Sequence, residues 1–192
     1  MSLLREKMKE TFKSPDPQHE RYSELPFPPY RYIVGASPHP TEDPQGHSFG
    51  KEEKEPGNLT RDTWHNNETY LYGVDLYNYA YWWEAHEAFE SLWKKKLDDE
   101  LMRHFLQGLI KMAAAFLKWY LKQQRGLDYL YDGALKHFNT VREYDSTYMG
   151  LDLDGYFNKV HHHFVNVVHR DHHRLSRWPD PLKNYPFIIL KN

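Results

Sequence analysis

The stretch from Tyr81 to Leu121 constrains the fold more than any other part of the chain, because it joins Tyr81-Trp-Trp-Glu-Ala-His-Glu87 to a long apolar run, Phe105 to Leu121. On a helical wheel Trp82, Ala85, Phe89, Leu92 and Trp93 share one face at i, i+3, i+7, i+10 and i+11, which predicts an amphipathic helix. His86 falls at the edge of that stripe, Glu90 lies one turn further along the same side, and Glu87 points further out. After a break at Leu97 to Asp99, a second helix carries Leu106, Leu109, Ile110, Ala113, Leu117 and Tyr120 on one face. Phe105, Met112, Phe116 and Trp119 lie beside them, leaving a narrow polar strip of Gln107, Lys111, Lys118 and Lys122. A helix apolar around most of its circumference is the buried member of its bundle.

The flanking segments fit around this pair. Thr69 to Asn78 predicts a preceding helix with Leu71, Leu76 and Tyr77 inward, and Asn78 to Ala80 turns the chain into the Tyr81 helix. From Gly126, Leu127, Leu130, Tyr131, Ala134, Leu135, Phe138 and Val141 repeat at helical spacing as far as Tyr144. Tyr148 to Gly150 reads as a loop, and Asp152 or Asp154 can cap a last helix with Leu153, Phe157, Val160, Phe164 and Val167 inward. Nine of the twelve prolines lie between Ser14 and Gly57, which excludes regular helix over most of that span. Leu25, Phe27, Tyr30, Tyr32, Ile33 and Val34 are too apolar for a solvated linker, so this arm is expected to lie on the bundle. Met1 to Lys13 predicts a short helix with Leu4, Met8 and Phe12 on one side. The expectation is an all-α fold: an N-terminal arm over 1–67, a bundle of about five helices over 68–175 and an extended tail over 176–192.

Composition narrows the function classes. No apolar run reaches the roughly 18 to 20 residues of a spanning helix, since Lys111 and Lys118 interrupt the best candidate. The charged Met1 to Phe12 segment lacks the apolar region of a secretory signal. With no cysteine there is no disulfide framework, thiolate metal site or cysteine nucleophile, which fits a cytoplasmic protein. A formal charge of -2 gives no electrostatic reason to expect nucleic acid or an anionic membrane as partner.

Tyr72-Gly-Val-Asp-Leu-Tyr-Asn78, Tyr81 through Trp93, Phe105-Leu-Gln-Gly-Leu-Ile110 and Ala113-Ala-Ala115 together resemble the domain of unknown function 309 family, over about Tyr70 to Asp154. The resemblance implies a compact helical bundle of bacterial or archaeal type and no established activity. The family's usual pattern has a glycine close after Asn78, where this chain has Tyr79-Ala80.

The sharpest chemical reading is a site between the arm and the His86 helix. Imidazole and carboxylate bind zinc, iron or manganese without cysteine, and His86 and Glu90 have the i, i+4 spacing that puts two donors on one side. His39, Asp43, His47 and Ser48 form a second cluster in the proline-stiffened arm. A loop folded over His86 would assemble His39, His47, His86 and Glu90 as metal ligands, with Glu84, Gln107 and Ser48 lining a ligand site. Glu87 or Asp43 would be the general base for metal-dependent hydrolysis. The plainer alternative makes His86 and Glu90 a hydrogen-bonded pair with Gln107 that sets helix register, in a non-catalytic module that binds a protein partner or forms a homo-oligomer. His162, Asn166, His169 and His173 form a stripe on the last helix that is expected to face solvent, with His161 closer to the core.

Overall fold

The computed structural model describes residues 14–52, 55–95, 99–169 and 179–191. Five helices form an all-α bundle: α1 Glu68–Asn78, α2 Trp82–Trp93, α3 Glu100–Tyr120, α4 Gln124–Arg142 and α5 Leu153–Phe164. A 3-10 turn, Trp64–Asn66, precedes them, and a small antiparallel hairpin, β1 Thr147–Tyr148 with β2 Leu151–Asp152, separates α4 from α5. The helix expected over Met1 to Lys13 lies outside the described residues, as does His173. Among the described residues no helix is long and apolar enough to cross a membrane.

Side-chain caps set three of the helix starts. Asn67 Oδ1 accepts from Tyr70 N, Asp99 Oδ1 from Met102 N and Asp152 Oδ1 from Gly155 N, each meeting a donor that the first helical turn leaves open. The apolar α3 is the centre of the bundle, packed between α2 and α4. It buries Met102, Phe105, Leu106, Leu109, Ile110, Met112, Ala113, Ala115, Phe116 and Trp119. Between α1 and α2 the backbone closes a six-residue loop, with Tyr81 N donating to Leu76 O at 2.8 Å and Ala80 N to Tyr77 O at 2.9 Å. Ala80 stands at φ 61°, in the left-handed region that a glycine occupies without strain.

Three local expectations are corrected. The loop expected at Tyr148 to Gly150 is the turn of a hairpin, whose central residues Met149 (φ 47°) and Gly150 (φ 78°) take the paired positive φ of a tight two-residue connection. On α5 the inward stripe runs through Leu153, Tyr156, Val160 and Phe164, while Phe157 lies under the Arg142 guanidinium at 4.6 Å. That stripe carries His163, not His161, inward: His161 is exposed, and His163 packs on the Trp119 ring at 4.8 Å and donates from Nε2 to Pro181 O at 3.1 Å. His162, Asn166 and His169 are exposed. In the arm, Ile33 is buried, but Val34 is more than half exposed.

The buried polar side chains of α1 and its flanks tie extended backbone to the bundle. Asp75 accepts from Tyr22 N and Ser23 N, both at 2.9 Å. Asn78 holds the tail through both its groups, accepting from Ile188 N and donating to Ile188 O, each at 2.8 Å. Asn67 adds a bond from Nδ2 to Pro56 O. Tyr185 of the tail reaches the core, accepting from Trp82 Nε1 and donating to Tyr77 O. Backbone groups that no helix can pair are thereby matched, as burial requires.

Candidate functional site

Helix α2 buries Trp82, Ala85, Phe89 and Leu92, so its polar residues lie on two margins. Residues two apart on a helix point about 200° apart, which sends Glu84 and His86 to opposite sides of the buried stripe. The arm closes over the Glu84 margin. Pro26-Phe27-Pro28-Pro29 lies along it, with the Phe27 ring stacked on Tyr81 at 5.0 Å, and Tyr72 donates its hydroxyl to Pro26 O at 2.9 Å. Burial pushes the Tyr72 phenol up to about 12, so it remains a donor through neutral pH.

A tight loop delivers His47 to Glu84. Gly46 sits so close to the carbonyls of His39 and Pro40 that a Cβ would lie 2.2 Å and 2.3 Å from their oxygens. Ser48 N donates to Pro40 O at 2.9 Å, and His47 N to the Tyr30 hydroxyl, which in turn donates to Pro38 O, each at 3.1 Å. The side chains of His47 and Glu84 are only 8% and 5% exposed and approach at 3.5 Å between Nε2 and Oε1, without hydrogen-bond alignment. Tyr32 N donates to the same Glu84 oxygen at 2.7 Å, and His47 Nδ1 lies 2.8 Å from Ser48 Oγ. The His47, Ser48 and Glu84 side chains line a pocket of about 400 Å³, walled by the proline run, Tyr72, Leu76, Trp83 and Ala88, with Glu87 and Lys51 also in its lining.

The opposite margin holds a second arrangement. His86 Nε2 lies 3.9 Å from Glu87 Oε1 and 4.0 Å from Glu90 Oε1, and one donor atom from each residue lies within 4.8 Å of the others. Among the described residues this is the one cluster of three such donors. An imidazole and two carboxylates suit zinc, iron or manganese, and three protein donors leave coordination positions open. Two features weigh against a ready-made centre. The Lys94 ammonium already holds Glu90 Oε2 at 2.8 Å, and His86 Nδ1 is buried without, among the described residues, the hydrogen-bond partner that orients most ligating histidines.

The proposed ligand set of His39, His47, His86 and Glu90 is thus divided between three places. His86 and Glu90 stand together with Glu87. His47 stands on Glu84, and His39 accepts at Nδ1 from Glu42 N at 3.2 Å while its ring packs on Trp83 and Tyr32. Asp43 accepts from Gln45 N at 2.8 Å in an exposed turn. Gln107 is half-buried on α3. The pairing of His47 with Glu84 is what the sequence reading misses. One signal lay in Gly46-His47-Ser48-Phe49-Gly50, which spells Gly-x-Ser-x-Gly, although these residues form a run of turns and not the strand-to-helix elbow that gives this spacing its usual meaning.

Of the six buried side-chain polar atoms without a hydrogen-bond partner among the described residues, three belong to this region: His47 Nε2, Glu84 Oε2 and His86 Nδ1. No curated protein and no solved structure matches the chain. Residues 70–130 match the family model described as a domain of unknown function, DUF309. That matched segment is about a third of the chain and contains Glu84, His86, Glu87, Glu90 and Gln107 but neither His47 nor Ser48, and over it the protein is similar to the domain of unknown function 309 family.

Proposed function

We propose that the protein binds a small molecule in the pocket between the arm and α2 and hydrolyses it, with His47 and Glu84 as the proton-transfer pair. One observation carries this reading. Asp75, Asn78 and Asn67 have hydrogen-bond partners on the arm or tail, whereas Glu84 keeps one buried oxygen, and His47 one buried nitrogen, unmatched in a pocket wall. Unmatched buried polar groups cost on the order of 1–3 kcal/mol each, so their retention beside a cavity points to a ligand. Rotation of either side chain would bring the pair into hydrogen-bond contact and allow it to take a proton from an attacking water.

The test is hydrolysis of 4-nitrophenyl butyrate and 4-nitrophenyl phosphate, with pocket occupancy read by tryptophan fluorescence quenching that disappears in Trp83→Phe. Turnover that falls in His47→Ala and Glu84→Gln is the expected result. Wild-type protein that is neither quenched nor active on either probe would return the polar pair to a structural role and favour the helical interaction module.

The proximity of donor atoms on His86, Glu87 and Glu90 favours a second reading, in which these residues hold a divalent cation at the pocket edge, with Glu87 common to both features. Such an ion supplies a bound water of lowered pKa. Near-stoichiometric zinc, iron or manganese in tag-free protein, lost in His86→Ala, is the expected outcome of elemental mass spectrometry; metal-free protein removes this reading and leaves the first intact.

A further inference from the structure

We propose that Ser48 is a nucleophile, activated by His47 and Glu84, that takes an acyl group from a small ester or thioester with an apolar acyl chain and passes it to water. The proposal rests on the pocket reading above and adds a covalent step to it.

The three side chains form a relay once rotation closes the unaligned gap between His47 Nε2 and Glu84 Oε1. Ser48 Oγ lies 2.8 Å from His47 Nδ1, and His47 Nε2 lies 3.5 Å from Glu84 Oε1. A neutral imidazole carries its proton on one nitrogen and a lone pair on the other. The Glu84 carboxylate favours the proton on Nε2, which turns the Nδ1 lone pair toward the Ser48 hydroxyl. This is the nucleophile, base and orienting acid arrangement of hydroxyl-dependent acyl transfer, with the two ring nitrogens exchanged relative to its commonest form.

The relay is held from several sides. Tyr32 N fixes Glu84 Oε1 at 2.7 Å, the Tyr30 hydroxyl fixes His47 N, and the Tyr30 ring stands edge-on to the imidazole at 4.8 Å. Pro40 O takes Ser48 N. Ser48 does not have a positive φ, so its reactivity would come from its partners and not from backbone strain. The pocket sets the substrate class. Phe27, Pro28, Tyr72, Leu76 and Trp83 offer apolar walls for an acyl chain, and Lys51 supplies the positive charge that suits the oxygen of a tetrahedral intermediate.

In the first half-reaction Ser48 Oγ attacks the carbonyl carbon and its proton moves to His47 Nδ1. The carbon–oxygen or carbon–sulfur bond to the leaving group breaks, and that group departs with the proton from Nδ1. In the second half-reaction a water attacks the acyl-Ser48 carbonyl, giving its proton to Nδ1. Collapse then returns that proton to Ser48 Oγ. The sum is ester plus water to acid plus alcohol, or thioester plus water to acid plus thiol, with no change of oxidation state.

The plain competing account is that Ser48 and His47, adjacent in sequence, share a hydrogen bond that stiffens a turn. Full-length protein treated with 4-nitrophenyl butyrate and, separately, with a fluorophosphonate distinguishes the two by intact mass and peptide mapping. The expected result is a single covalent adduct on Ser48, a burst of nitrophenolate, and turnover lowered about 100-fold or more in Ser48→Ala and Glu84→Gln. Mapping the wild type needs no variant, so poor folding of a variant would not obscure the result. An unlabelled Ser48, or Ser48→Ala that retains turnover while His47→Ala loses it, overturns the covalent step and leaves direct water activation standing. Absence of quenching in the Trp83 assay would instead remove the pocket itself.

Discussion

At the scale of single residues, two buried carboxylates on neighbouring helices have different duties. Both Asp75 oxygens receive arm N–H groups, whereas Glu84 binds one N–H and leaves an oxygen over. Asp75→Ala leaves Tyr22 N and Ser23 N without acceptors and is expected to lower unfolding stability by about 3 kcal/mol in urea denaturation. Glu84→Gln keeps an acceptor for Tyr32 N and should change stability by less than about 1 kcal/mol while removing activity, the pattern of a group retained for function. Equal losses of stability in the two variants would place Glu84 among the structural ties. His163 gives the chain an acid sensitivity. Desolvation against Trp119 pushes its imidazole down to about 4 from an ordinary 6.5, an effect that its bonds to tail carbonyls and Asp180 only partly offset. The unfolded chain takes up this proton as pH falls through 6.5, and the folded chain only near 4. The contribution is therefore complete above that window and lost across it, by up to about 3 kcal/mol. Stability measured between pH 7 and pH 4 should fall with a slope that flattens in His163→Leu.

At the scale of elements, the α1–α2 connection shows a local cost accepted for a tertiary gain. Ala80 holds a left-handed conformation that costs an L-residue about 1–2 kcal/mol, because the turn must bring Tyr81 N back onto Leu76 O. Replacing its buried methyl loses about 0.8 kcal/mol of burial, so Ala80→Gly is expected to raise the melting temperature by an amount equivalent to at most about 1 kcal/mol. A lower melting temperature would mean that the methyl packing outweighs the backbone strain. The α3–α4 contact uses a glycine differently. Gly108 admits the Phe138 ring where a Cβ would stand 2.6 Å from it, which allows the two helices to pack closely.

At the scale of the whole molecule, arm, tail and bundle share their hydrogen bonds. Leu190 N donates to the Tyr22 hydroxyl, Lys191 N to Gly150 O, and Leu190 bridges to Leu151 beside the hairpin. The tail therefore touches the arm and the hairpin, as well as α1 through Asn78. Deleting residues 183–192 removes both bonds between Asn78 and Ile188, leaving Asn78 its contact with His19, and uncovers Tyr77 and Trp82, so the arm is expected to be cleaved faster in limited proteolysis and cooperative unfolding to weaken. A truncated chain with unchanged protease resistance in the arm would show that the tail is dispensable for the pocket.

The sequence by itself determined the helices. Spacing of apolar residues located α2, α3 and α4, and the cap expected at Asp152 or Asp154 is Asp152. Periodicity is a local property, so one chain suffices to read it. It also put Glu84, His86, Glu87 and Glu90 on one helix and led to the expectation that the arm lies against the bundle. Only the tertiary structure decided which of them the arm meets. That choice depends on a helical rotation of about 200° between Glu84 and His86, on the close-packed Gly46 turn and on the Tyr30 hydroxyl. These are contacts between residues far apart in sequence, and no periodicity records them. The same holds for His163, whose burial follows from a one-residue shift of the α5 stripe toward Tyr156, settled by what packs against it and not by the helix alone.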